Sequence, residues 1–487
     1  MFDLSIIKKY KYPIFIGFNL LWIWALLSPS IYYFDDNYRA AGGYYNWGGD
    51  FRPFADWLYY LLGLGRRFTD LTPLPQIISL LFLYLIVSHY VNNFFDTWKN
   101  FEGWLVFSPI FLSPFLLSNL YFRYDSLFMM LAVLFSVLAI HFVNQKRYIF
   151  ATCLLYFTLG LYQPAIVAYV CTALFVIYKL NSNNSYKSFQ LWFRQSLLYF
   201  VIFAVSLVLY YFTIMKFTTD FNWYSTTHSQ MSIANAVPNL TVAIREISIL
   251  FQGDSGYIYL VIFIYLLLLN VIYFFKLFSY LGLIAFLIVH FSFVCTAAGV
   301  NLFLDVPRFE YRTFIFYGFY TSFLLLSAYK IILYYRLYKC NCFLLFFVNF
   351  YFLSISLNVS NAQKYKENFD DMVIFDLLET IHNNKSINKN TTIIFYGEST
   401  PYTVQQIVYK YPVIKNIIAN GSYYTYKIQN FFPYQLKYIK FRGDKEKFEY
   451  YLEKNKKFEI VDDRLFYYIA SDSNNNLLIY FKPLEKE

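Results

Sequence analysis

The stretch Tyr148–Leu180, YIFATCLLYFTLGLYQPAIVAYVCTALFVIYKL, decides the architecture of this chain. It is apolar throughout except for a break at Gly160 and Gln163-Pro164 and one lysine, Lys179, near its far end. A hydrocarbon core about 30 Å thick takes roughly 20 helical residues. The stretch is therefore either one long tilted helix or a tight hairpin of two short spans. Lys and Arg in short loops favour the cytoplasmic side of a membrane, which arbitrates between the two. With Lys8, Lys9 and Lys11 inside, Lys146 and Arg147 also fall inside, but Lys179, Lys187 and Arg194 do so only if the stretch crosses twice. The hairpin reading is preferred, and a re-entrant segment around Gly160–Pro164 is its alternative.

Outward from this hairpin, spans of similar character lie at about 13–34, 74–94, 103–121, 125–143, 192–214, 257–275, 278–300, 309–335 and 341–359. With the two crossings of 148–180 this predicts eleven spans, the amino terminus inside and the carboxy-terminal tail outside. Lys276, Arg336 and Lys339 then also fall inside. The first span follows three lysines as a signal peptide would, but it is too long and lacks a small-residue cleavage site before Asp35, so it reads as a retained anchor. The outer face receives loops at about 35–73 and 215–256 and the tail from about 360.

Composition agrees. Of 487 residues, 58% are hydrophobic and only 14% charged, where soluble proteins carry about 25% charged residues. Disorder, collagen and a disulfide-stapled secreted domain are excluded. The five cysteines (Cys153, Cys171, Cys295, Cys340, Cys342) lie in or at the ends of apolar stretches and give neither a disulfide framework nor a zinc spacing. Eight of the ten excess positive charges lie in the apolar body, so they orient helices and do not form a nucleic-acid patch. The predicted fold is an α-helical polytopic membrane protein. Residues 1–359 form the membrane body and 360–487 a small C-terminal periplasmic α/β domain. Within that domain the pattern gives a helix near Asn368–His382, a strand at Thr391–Tyr396 and a helix near Val404–Tyr411.

Chemistry concentrates on the outer side. Asp35 and Asp36 follow the first span directly, at lipid-headgroup depth, where a carboxylate can act as general base toward a sugar hydroxyl or hold a divalent cation such as Mg or Mn. The bland alternative is an acidic end to a helix. The following loop interleaves Arg39, Gly42-Gly43, Trp47, Asp50, Arg52, Asp56 and Gly65-Arg66-Arg67. That mixture suits carbohydrate: aromatic faces stack on sugar while Asp and Arg read hydroxyls and phosphate. Neither the dinucleotide fingerprint nor a Walker A sequence is present. Arg123 and Asp125 occupy a short outer turn, and Asp305, Arg308, Glu310 and Arg312 lead into a later span. Arginines at such depth are candidates for an anionic lipid phosphate, or else snorkel beside a partner carboxylate. His228 and His290 are lone histidines and read as structural.

The acidic pair, the loop ending in Gly65-Arg66-Arg67, then Leu74-Pro75-Gln76-Ile77, Tyr124-Asp125-Ser126-Leu127, Leu161-Tyr162-Gln163-Pro164-Ala165 and Pro307-Arg308 resemble, in this order, the serotype-converting O-antigen glucosyltransferases of temperate phages and bacterial islands. These are similar to the wider GT-C class of polyprenyl-phosphate-dependent glycosyltransferases. The resemblance implies a GT-C-like body in the bacterial inner membrane, an undecaprenyl-phosphate glucose donor and a lipid-linked O-antigen acceptor. It also implies a functionally linked flippase and donor synthase. Asp35 or Asp36 would be catalytic, with Arg66, Arg123 and Arg308 toward the donor phosphate and Arg39, Trp47, Asp50 and Asp125 toward the sugar acceptor. Inversion by single displacement is the simpler course. An O-antigen polymerase would carry a large Arg-rich middle loop and lack the tail, and a flippase would show internal repeats and charges within its helices.

Overall fold

A computed structural model describes residues 4–43, 45–65, 69–95, 97, 99–182, 188–218, 227, 230–278, 282–383, 391–418, 424–429, 431, 437–441, 445–454, 458–472 and 476–482. The chain divides into two compact units. One comprises Met1–Ser28, Tyr44–Leu357 and Tyr411–Ile417; the other comprises Pro29–Gly43, Asn358–Lys410 and Ile418–Glu487. The division near 357 lies close to the expected boundary at 359. Two exchanges were not expected: Pro29–Gly43, with the acidic pair, belongs to the C-terminal unit, and Tyr411–Ile417 to the helical one.

The first unit is helical. Among the described residues, seven helices are long and apolar enough to cross a membrane, or eight if one bent pair counts as a span. Helices also occupy the remaining expected spans, but there they are shorter (Lys11–Leu27, Tyr148–Leu161, Gln163–Lys179). The bent pair is the expected span 103–121. It breaks at Ser113 before Pro114, and its halves, Phe101–Leu112 and Pro114–Leu120, meet at 61°. Proline lacks an N–H and pushes the preceding residue out of helical geometry, and Ser113 is extended at ψ 129°.

The hairpin stretch breaks where its sequence suggests. Helix Tyr148–Leu161 ends at an extended Tyr162, and helix Ile166–Ser182 leaves from the turn Gln163–Ala165. The turn is tied to the loop after Trp47, since Gln163 Nε2 donates to the Asp50 carbonyl at 3.2 Å. At the far end Lys179 donates to the Asn93 carbonyl. Helix Ile166–Ser182 therefore runs back along the bundle from the end that Tyr148–Leu161 had reached. Gly160 allows this packing, because a Cβ there would collide with the Phe54 ring on helix Pro53–Leu62.

Inside the bundle, several amide side chains donate to carbonyls of their own or a neighbouring helix, as an apolar medium favours. Asn270 Nδ2 donates to the carbonyls of Leu266 and Leu324, and Asn349 Nδ2 to that of Leu105. His290 Nδ1 meets the Tyr320 hydroxyl at 2.9 Å in a buried ring cluster, the structural role expected of it. His228 lies outside the described residues.

The second unit is a mixed sheet between helices. Strands β1 (Thr392–Gly397), β2 (Lys437–Lys440), β3 (Glu459–Asp463), β4 (Tyr467–Ser471) and β5 (Asn476–Phe481) stand in the order β2-β1-β5-β4-β3. β1 runs parallel to both β2 and β5, and the remaining pairs are antiparallel. Strand side chains alternate between faces. Ile393, Phe395, Leu477, Ile479 and Phe481 pack with Val373, Ile374, Leu377 and Ile381 of helix Tyr338–Asn383. Ile394, Tyr396, Leu478 and Tyr480 face Phe448 of helix Lys445–Lys454. Burial on both faces explains why these strands read as unbroken apolar runs. The expected separate helix at Asn368–His382 is instead the distal part of one 46-residue helix, Tyr338–Asn383. No Gly or Pro interrupts that segment, so nothing stops the helix where its apolar part ends.

Candidate functional site

Asp35 and Asp36 open an eight-residue helix, Asp35–Gly42, that follows a strained entry. Phe34, just before it, holds φ 44° and ψ −108°, a conformation that costs a bulky residue about 1–3 kcal/mol. Such strain persists only where the surroundings impose it. Asp36 is fully buried and its Oδ2 accepts the Tyr33 N–H at 3.2 Å, whereas Asp35 is partly exposed. Asn37 donates to the Tyr32 carbonyl at 2.8 Å and fixes the same turn. Arg39 is buried on this helix. Two carboxylates at a helix start also suit the partial positive charge there. Among the described residues no group of three or more His, Cys, Asp or Glu side chains could hold a metal. Asp35 and Asp36 alone make an incomplete cation site.

The helical unit carries a separate polar cluster, built from the loop after Gly43, the turn at Tyr162–Gln163 and the run Arg308–Thr313. Asp56 accepts the backbone N–H groups of Trp47 and Gly48 at 3.1 and 2.6 Å, which folds the loop over helix Pro53–Leu62. Arg52 is buried, 3.9 Å from Asp50 and with its guanidinium 5.7 Å from the centre of the Tyr162 ring. The Tyr162 hydroxyl donates to the Arg312 carbonyl at 3.1 Å. Arg312 and Arg308 share Glu310, at 2.5 and 2.8 Å. Arg312 also lies over the Phe122 ring. Asn301 accepts the Arg308 N–H and donates to its carbonyl, which fixes the backbone of this turn. Arg308 and Arg312 both pair with Glu310, and a guanidinium group has the planar donor set that suits a phosphate.

The expected site residues separate on this geometry. Arg308 and Asp50 lie in the cationic arc just described. Arg123 is clasped by Asp70 at 2.6 Å. Burial raises the Asp70 pKa, but hydrogen bonds from Thr72 and Arg123 and the Arg123 charge outweigh it and hold the carboxyl below its usual range. Trp47 was expected on a sugar-stacking surface; instead it is 0% exposed, against the rings of Tyr59 and Phe128. Its Nε1 donates to Asp125, also buried, at 3.1 Å. An indole can satisfy a carboxylate and fill a core at once, and this loop uses both capacities. Arg66 lies outside the described residues. In the sequence Arg52 and Arg312 read only as members of charged runs that suit phosphate, without an assigned role, and Tyr162 and Gln163 only as part of a motif. The motif Leu161-Tyr162-Gln163-Pro164-Ala165 was the signal available for two of them.

Apolar helices of membrane length, joined by tight turns and carrying a cation-rich polar cluster, define a polytopic helical protein of membrane type. Within that class the chain belongs to the glucosyl transferase GtrII family, whose profile matches residues 24–326. It is also similar to an uncharacterized 55.3 kDa protein in the gtrB 5' region of Salmonella phage P22, 28% identical over 262 residues, 51% of this chain and 53% of that protein. The chain thus matches about half the length of this relative. No solved structure matches.

Proposed function

We propose that this chain is a membrane glycosyltransferase that moves glucose from undecaprenyl-phosphate glucose to the lipid-linked O-antigen repeat at the periplasmic face of the inner membrane. The observation that carries this reading is the match to a glucosyl transferase family across both the acidic segment and the arginine cluster. In the proposed reaction an acceptor hydroxyl attacks the anomeric carbon, its proton passes to Asp36 or Asp35, and undecaprenyl phosphate leaves with the electron pair of the broken C–O bond. Attack opposite the leaving group inverts the anomeric centre. A base supplies typically 10²–10⁴-fold here, and fixed cations beside the leaving phosphate stabilise the charge that develops on it. Asp36 is the better-held candidate, since burial and the Tyr33 N–H fix its carboxylate. Arg52, Arg308 and Arg312 are assigned to the phosphate.

Mass analysis of O-antigen from cells with and without the chain tests the reading. One added hexose per repeat is the expected result. A changed chain length with no added hexose would favour a polymerase, and loss of surface O-antigen a flippase; either would overturn the proposal.

A further inference from the structure

Helix Asp35–Gly42 has only eight residues and starts from the strained Phe34, so it cannot hold its own geometry. Isolated helices below about 12–15 residues are marginal even in favourable sequences. Within its own unit this helix packs against helix Tyr424–Gln429 of the C-terminal module. That second helix, only six residues long, is riveted in turn to helix Tyr338–Asn383 by two ionic ties. In the first, buried Lys366 reaches Asp370 at 2.6 Å and the Tyr424 hydroxyl at 3.0 Å, and that hydroxyl donates to Asp370 at 2.7 Å. In the second, Lys427 reaches Glu367 at 2.8 Å and Asp371 at 3.0 Å. The Tyr424 ring also packs on Phe481 of β5, 4.5 Å between centres.

A buried ion pair contributes little net stability, because desolvation offsets the Coulomb gain, but it admits few alternative geometries. Apolar packing at Tyr424 and Ile428 would suffice to cover the sheet. What the charges add is a fixed position and rotation for the six-residue helix.

We propose that the C-terminal module is a positioning device for the acidic helix, and that Tyr424 and Lys427 are positioning residues through which helix Tyr338–Asn383 sets the Asp35 and Asp36 carboxylates. This rests on the reading of those aspartates as the catalytic base. It gives the module a role in transfer itself, separate from recognition of the acceptor.

The test compares Tyr424→Phe, Lys427→Met, Lys427→Arg and Asp36→Asn, each in the full chain in membranes, by glucosyl transfer from a polyprenyl-phosphate glucose donor. Tyr424→Phe keeps the ring and removes only the hydroxyl, so it retains the core contact. The expected result is a roughly tenfold or larger fall in kcat for Tyr424→Phe and Lys427→Met, with both KM values within about twofold of the parent. Lys427→Arg restores most of the rate, because the cation returns. If Tyr424→Phe and Lys427→Met keep the parental kcat per folded enzyme while Asp36→Asn is inactive, the positioning role is wrong and the base assignment stands. Full activity in Asp36→Asn and in its Asp35→Asn counterpart overturns the base assignment and the positioning role with it. A rise in donor KM at unchanged kcat would make the ties part of a binding surface and also overturn the proposal.

Discussion

Two of the ionic clusters among the described residues are built with opposite balances. In the helical unit two arginines, Arg308 and Arg312, share the single carboxylate of Glu310, and Arg52 lies beyond them across Tyr162. In the C-terminal unit two lysines, Lys366 and Lys427, are surrounded by Glu367, Asp370, Asp371 and Glu398. The first arrangement gathers three guanidinium groups around Glu310 and Asp50. The second is over-supplied with carboxylate, so it holds its cations and has none to offer an anion. Residue type sharpens the contrast: arginine forks toward planar oxyanions, whereas lysine is a compact charge with three donors. Ion pairs that look alike in a contact survey therefore have different uses, one toward a phosphate and one toward fixing a helix.

The largest effect expected is at the acidic helix. Asp36→Asn keeps the size and one acceptor for the Tyr33 N–H but removes the base, so transfer should fall by about 10²–10⁴-fold while membrane insertion is unchanged. Transfer assays on quantified membranes check this. Next, Arg312→Ala should raise the donor KM about 10- to 100-fold, the loss typical of a hydrogen bond to a charged group, at about 1.5–3 kcal/mol. Its counterpart in the other cluster, Lys366→Met, should instead lower unfolding stability by about 3–5 kcal/mol, because Asp370 is left buried without its cation. Equal effects of these two variants on donor KM would erase the distinction between the clusters. A smaller effect is expected at Trp47→Phe, which strands a buried acceptor on Asp125 and should cost about 1–3 kcal/mol of stability with no change in acceptor KM. A raised acceptor KM would return Trp47 to the sugar-binding role that its sequence context suggests.

The burial of Trp47 marks where the sequence stops being informative. Span positions follow from length and hydropathy, which are local, and the break at Gly160–Pro164 follows from two residues with known backbone limits. The strand Thr392–Gly397 and the helix Tyr402–Lys410 were legible for the same reason. Trp47 in a Gly- and charge-rich loop looks solvent-facing, because the acceptor of its indole N–H, Asp125, is 78 positions away and one ring that covers it, Phe128, is about as distant. Arg312 reads as one charge in a mixed run until Tyr162 accounts for its carbonyl and Glu310 for its side chain. Membership of Pro29–Gly43 in the C-terminal unit had no local signal at all, since it depends on a packing partner about 390 residues later. Local pattern fixes elements, and long-range pairing decides which face of an element is free to bind.

The smallest expected effects are in pH dependence, and there the two units should differ in sign. Asp70, clasped by Arg123 in the helical unit, has a folded pKa below its unfolded value of about 4. It binds fewer protons folded than unfolded, so its contribution is fully present above that value and is lost as pH falls through the depressed folded pKa. Lys427 in the C-terminal unit is shifted up: burial lowers its pKa, but Glu367, with Asp370 and Asp371, outweighs that. A lysine with a raised pKa retains more proton when folded, so its contribution is present below about pH 10 and disappears as pH climbs through the raised value. Unfolding midpoints of the parent, Asp70→Asn and Lys427→Met, measured from pH 3 to 11, separate the two. The Asp70 variant should differ from the parent at neutral and alkaline pH and converge with it in acid. The Lys427 variant should differ at neutral pH and converge in alkali, where the lysine loses its proton, and it also converges in strong acid, where burial-raised Glu367 is neutral. A Lys427 difference that persists unchanged at the alkaline end would mean that Lys427 gains nothing from its carboxylates, and the ties to helix Tyr424–Gln429 would then lack the charge complementarity on which their positioning role depends.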